Sequence, residues 1–184
     1  MLIRKKMLKN NILIAFLFSF IVSSIASADY RDGQDAYASG NYQAAILEWI
    51  PIAKDGDAKA QYNLGWMRAN GKGTAQDFQE AVDWYTKSAK QGYIHAQYNL
   101  ANLYLRGQGV TQNDKLAFSW FLKAAEQGDA PAQYNLGRMY LLGTGADENY
   151  HEARFWIKQA LENNDEYIEI LAQQVWDDYK LGGY

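Results

Sequence analysis

The sequence contains no cysteine, and this absence alone removes much chemistry. It excludes a disulfide scaffold, cysteine-ligated metals, iron–sulfur clusters, a thiol nucleophile and a lipid-anchoring cysteine. Histidine is nearly as scarce. His95 and His151 are far apart in sequence and lack paired-ligand spacing, whereas a metal site needs three or four convergent ligands. An excess of positive charge is also missing: 18 Lys plus Arg against 21 Asp plus Glu give −3, with no general attraction for nucleic acid or anionic lipid. Beyond residue 28 the only serines are Ser39, Ser88 and Ser119, none in a nucleophile-elbow context. Adjacent acids such as Asp177 and Asp178 point to different sides of a helix and form no facing acid–base pair. The reading is a non-enzymatic chain with no catalytic set, no metal and no cofactor.

What is present begins with a segment apart from the fold. Arg4, Lys5, Lys6 and Lys9 precede an apolar run from Ile12 to Ile25, followed by Ala26-Ser27-Ala28. A basic start, a short apolar stretch and an Ala-x-Ala end make a secretory signal peptide over 1–28. The run is too short for a spanning helix, which needs about 20 residues. Cleavage after Ala28 is expected, with a periplasmic or secreted product and no membrane insertion afterwards. Removing those four bases changes the net charge from −3 to −7.

A 36-residue period organises the rest. Ala60-Gln61-Tyr62-Asn63-Leu64-Gly65 recurs as Ala96-Gln97-Tyr98-Asn99-Leu100-Ala101 and as Ala132-Gln133-Tyr134-Asn135-Leu136-Gly137. The same spacing links Ala81, Ala117 and Ala153, and Trp84, Trp120 and Trp156. Periodicity of this length means a repeat array. Asn41, Asp77, Asn113 and Asn149 each precede a helix-like pattern and suit N-caps. Gly56, Gly92, Gly128 and Asn164 fall where a helix must stop in a left-handed conformation. Asp57, Asp129 and Asp165 follow as caps, with Tyr93 in the fourth place. Each unit therefore reads as helix A, a loop, helix B and a tight turn. Helix A is placed near 57–70, 93–106 and 129–142, and helix B near 77–91, 113–127 and 149–163. A shorter pair occupies about 30–39 and 41–55, and a last helix runs from 165 to about 180. About nine helices stacked as antiparallel pairs are expected.

Packing follows from the small residues. Gly65, Ala101 and Gly137 lie inside helix A, where glycine costs about 1 kcal/mol against alanine. A close helix approach explains them, with Ala81, Ala117 and Ala153 as the facing positions. Leu64, Leu100, Leu136 and the Trp84 series should fill the space between units. Pro51 should kink the first helix B near Leu47. The loops Gly71-Lys72-Gly73, Gly107-Gln108-Gly109 and Gly143-Thr144-Gly145 lie between helices and recur with the repeat, so turn geometry explains them better than phosphate binding.

These blocks, with Gly107-Gln108-Gly109-Val110 and Lys123-Ala124-Ala125-Glu126-Gln127-Gly128, resemble the Sel1-like repeat, a longer-loop relative of the tetratricopeptide repeat. The resemblance covers three units, 57–92, 93–128 and 129–164. Residues 29–56, with Gly33, Tyr37, Gly40, Tyr42 and Ala45, look like a tetratricopeptide-type pair, and 165–184 like a capping helix. It implies a right-handed all-α solenoid whose A helices line a concave groove that binds a protein or peptide. Exported members resemble envelope adaptors and regulators; an immunity-type inhibitor of a toxin is the other binding role. A cysteine-rich subgroup is associated with penicillin binding, and this chain has none of those cysteines.

The groove candidates stand on helix A. Tyr62, Tyr98 and Tyr134 precede the core leucines by two residues, about 160° round the helix, and so face another side. They suit either partner contact or packing against neighbouring helices. Positions that differ between units are Trp66, Asn102 and Arg138, and Asn70, Arg106 and Leu142. Of these, Trp66, Asn102, Arg106 and Arg138 join the tyrosines as predicted partner contacts. A second surface is acidic: 146–184 holds nine acids and three bases, net −6. That end solvates a terminal cap or attracts a basic partner.

Overall fold

The computed structural model describes residues 30–183. The signal segment predicted at 1–28 lies outside these residues. Helix α1 spans 30–38. It is followed by α2 (Tyr42–Lys54), α3 (Ala58–Asn70), α4 (Phe78–Lys90), α5 (Ile94–Arg106) and α6 (Asp114–Glu126). Then come α7 (Ala130–Leu142), α8 (Tyr150–Leu161), α9 (Glu166–Asp178) and a closing 3-10 turn, Leu181–Gly183. The nine described helices stack as a right-handed α-solenoid. Each predicted boundary falls within a few residues of the observed one.

Local chemistry sets those boundaries. Asp57 accepts from the Ala60 amide at 2.7 Å, Asp129 from Ala132 at 2.8 Å and Asp165 from Ile168 at 3.1 Å. Asp77, Asn113 and Asn149 do the same for the B helices. Tyr93 makes no such bond, so α5 begins without a side-chain cap. α2 continues through Pro51 as one helix, and its Leu47, whose carbonyl the ring deprives of a helical donor, stands on the exposed side.

The A-to-B loops repeat one turn. Gly71, Gly107 and Gly143 close their helices in the left-handed conformation. Their second glycines press on the start of the preceding B helix: a β-carbon on Gly73 would come within 2.6 Å of the Tyr42 side chain. On Gly109 it would strike the Phe78 backbone, and on Gly145 that of Asp114. The second glycines are therefore stacking contacts between units, beyond the turn geometry that the sequence alone suggests.

The core runs continuously along the array. Leu64, Leu100 and Leu136 are buried at its centre, with Ala81, Ala117 and Ala153. One expectation needs correction. The closest neighbours of Gly65 and Gly137 are not Ala81 and Ala153 but Tyr85 and Ile157, one turn further along helix B. An added β-carbon would sit 2.7 Å from the Tyr85 ring or from the end of the Ile157 side chain. Alanine is too short to fill that gap, so the larger side chain leans into it. The tryptophans stand between units as expected: Trp84, Trp120 and Trp156 are half-buried and pack on the clusters formed by the preceding B helix and their own A helix, with Lys87 over Trp84 at 4.1 Å and Lys123 over Trp120 at 4.2 Å.

Units are also joined by buried amides. Gln61, Gln97 and Gln133 each donate to a backbone carbonyl of the preceding B helix: Ala53, Ala89 and Ala125, at 2.9–3.2 Å. Each accepts in turn from the B helix of its own unit, through Gln91, Gln127 and Asn163 at 2.7–2.9 Å. Every such glutamine thus ties its helix A to the helices on both sides.

Candidate functional site

The A helices present one side in common. Counting by the period places Tyr62, Tyr98, Tyr134 and Ile170 in one row, and Trp66, Asn102, Arg138 and Gln174 in the next. The tyrosines are half-buried, beside fully buried leucines two residues on. They pack on the edge of the core clusters, along one face.

Three hollows follow these rows. The first, of about 710 Å³, lies between α1 and α3, with Tyr37, Trp49, Tyr62 and Trp66 among its walls. The second, about 540 Å³, takes Tyr62 and Trp66 on one side and Tyr98 on the other, and reaches the turns before α7 and α9. The third, about 310 Å³, lies between α7 and α9, where Tyr134 and Arg138 meet Gln174 and Asp178. Five of the seven predicted contacts, Tyr62, Trp66, Tyr98, Tyr134 and Arg138, line these hollows.

Asn102 and Arg106 line none of the three. Asn102 turns its amide back onto its own helix and donates to the Tyr98 carbonyl at 3.0 Å. Arg106 stands exposed at the end of α5, where a cation offsets the helix dipole. Local helix geometry accounts for both.

The tyrosines pack as well as line. Tyr62 contacts the rings of Tyr85, Tyr93 and His95 at 5.1–5.9 Å, and Tyr98 that of Phe121 at 5.8 Å. Trp66 meets Tyr37 edge to face at 5.8 Å. The Arg138 guanidinium lies over the Tyr134 ring at 5.6 Å. Burial raises the Tyr62 phenol above its ordinary value. Neighbouring rings therefore hold these side chains in place.

Several lining residues escaped the sequence reading. Tyr37 of α1 closes the first hollow. His95, Asp129 and Asp165 line the second. Ile170, 64% exposed, continues the tyrosine row onto α9 without lining any of the three hollows. Extending the period through the last helix would have found Ile170. The others lie outside the two rows that were counted. Asp129 is largely withdrawn from water, and this desolvation raises its carboxyl above the usual range against the lowering bond from the Ala132 amide.

Among the described residues no group of His, Asp and Glu gathers to hold a metal ion. None of the described helices is long and apolar enough to cross a membrane.

Comparison with known proteins agrees with this architecture. The Sel1 repeat profile matches three times, at 58–93, 94–129 and 130–165. A Sel1 repeat protein from Oxalobacter formigenes is 30% identical, with a TM-score of 0.74 over 80% of this chain and 61% of that one. A protective antigen of uropathogenic Escherichia coli with an SLR fold is 33% identical, with a TM-score of 0.74, over 84% of this chain and 34% of that one. The chain therefore spans less than two thirds of either relative. Cysteine-rich protein B of Helicobacter pylori shares the fold at 17% identity and a TM-score of 0.54, over 69% of this chain and 91% of that one. No curated protein sequence matches. Three consecutive matches over more than half the residues, on a stack of paired helices with this loop, place the chain in the Sel1 repeat family.

Proposed function

We propose that this chain is an exported scaffold that binds a protein or peptide segment along the face of its A helices, as an adaptor or regulator of the bacterial envelope. The family is generally a scaffold for protein–protein interaction. The observation that carries the reading is the row of aromatic-walled hollows, the first two sharing Tyr62 and Trp66 and the third walled by Tyr134 and Arg138. Large, rigid aromatic side chains in partly desolvated hollows are the usual anchors of a protein interface. The reading also rests on the sequence: the signal-like segment at 1–28 supports export to the periplasm or beyond.

A photoreactive residue in place of Trp66 or Arg138, in the producing cell, tests the surface. Cross-links to one discrete protein from these sites, and none from exposed Asp83 on α4, are the expected result. Equal labelling from Asp83, or none from either groove site, refutes it. Trapping a toxin at position 66 would assign the inhibitor role in place of the adaptor.

A further inference from the structure

The second hollow differs from the other two in its chemistry. Its aromatic wall is Tyr62, Trp66 and Tyr98, and its far side carries Asp129 and Asp165, with His95 at the edge. Each aspartate uses only its Oδ1 to cap the following helix. Among the described residues neither carboxylate has a salt bridge, and neither Oδ2 accepts a hydrogen bond. Asp129 is nevertheless half-buried, and only His95 at the edge of the hollow offsets the desolvation of its charge. A desolvated anion and the negative faces of aromatic rings favour the same guest: a cation with an apolar stem. The volume of about 540 Å³ admits such a side chain with the backbone that carries it.

We infer that this hollow seats a lysine or arginine side chain, and that the partner segment is therefore basic. The inference rests on the proposed use of the A-helix face and narrows its partner. It also moves the basic contact from the acidic C-terminal cap to the middle of the groove. There the carboxylates of Asp129 and Asp165 take the cationic head, and Tyr62, Trp66 and Tyr98 flank its stem. A cation in this place offsets the desolvation of Asp129, whereas an acidic segment meets two carboxylates that no salt bridge engages.

An array of 12-residue peptides tests this, each with a central aromatic residue flanked by basic, acidic or neutral residues. The purified protein is expected to bind the basic set at least tenfold more tightly than the others, with affinity falling several-fold as salt rises. The variant pair Asp129→Asn and Asp165→Asn should erase that preference by about tenfold. Asparagine caps a helix as well as aspartate does, and Asn113 and Asn149 do so in this chain, so the thermal midpoint should hold. A preference for acidic or neutral peptides overturns the inference, as does a basic preference unchanged in the double variant. If those peptides are still lost with Trp66→Ala, the groove stands and only its charge selectivity fails. Failure of every set to bind removes the groove reading as well.

Discussion

Gln97 offers the sharpest test of how the units are held together. Its side chain is 4% exposed, donates to the Ala89 carbonyl at 3.2 Å and accepts from Gln127 at 2.7 Å. Gln97→Glu keeps the shape and the acceptor but aims a carboxylate at that carbonyl. The folded chain holds this group only by keeping it protonated, so its folded pKa rises above the unfolded value of about 4.3. A rise of about two to three units is common for such burial and corresponds to about 2.6–3.4 kcal/mol of lost stability at pH 7. For a chain of this length that lowers the thermal midpoint by roughly 5–14 °C. The sign follows from the raised folded pKa of an acid: the penalty is absent below the unfolded pKa and grows as pH rises above it. Urea unfolding of wild type and variant between pH 4 and pH 7 measures it. Gln97→Leu removes both bonds without adding charge, and should cost about 1–2 kcal/mol at every pH. A Gln97→Glu penalty that does not shrink toward pH 4, or that stays under about 0.5 kcal/mol at pH 7, refutes the role given to the buried amide.

Three further outcomes follow from the packing and the sequence. Gly137→Ala should destabilise by about 1–3 kcal/mol because its new methyl group meets Ile157 at 2.7 Å; adding Ile157→Val should cost less than the two single changes combined, as a double-mutant cycle would read. Burial holds the Tyr85 phenol above its ordinary value of 10.0, so stability falls as pH rises past the unfolded pKa. Tyr85→Phe, the residue already present at Phe121, should move the alkaline unfolding midpoint upward, although it gives up the 3.4 Å bond from Asn99. Mass spectrometry of the protein from its producing cell should find Asp29 as the first residue; an intact Met1 form as the sole product refutes the signal reading.

Why some of this was legible and some was not depends on how local the physics is. Caps and left-handed stops act over three or four residues, so Asn149 or Gly128 announced a boundary by itself, and the 36-residue period multiplied each signal by the number of units. The buried glutamines were legible in principle. Gln61 precedes Leu64 by three residues, and the pair face the same way, so its amide had to be buried and had to find partners. Those partners, Ala53 and Gln91, are 8 and 30 residues away, and only the stacked array brings them together. The same limit governs the groove. Tyr62 and Trp66 lie one turn apart on one helix, so their shared face is a matter of period alone. Asp129, by contrast, acts locally as a cap, and only the superposition of α3, α5 and the following turns brings it to the rings of Tyr62 and Tyr98. Variation between units misled at Asn102 for the opposite reason, because a short amide on an exposed helix satisfies itself on the carbonyl four residues back. Arg138 also leans on the residue four back, the Tyr134 ring, but its long side chain still reaches the wall of a hollow, whereas the short amide of Asn102 is spent on the Tyr98 carbonyl and lines none of the three.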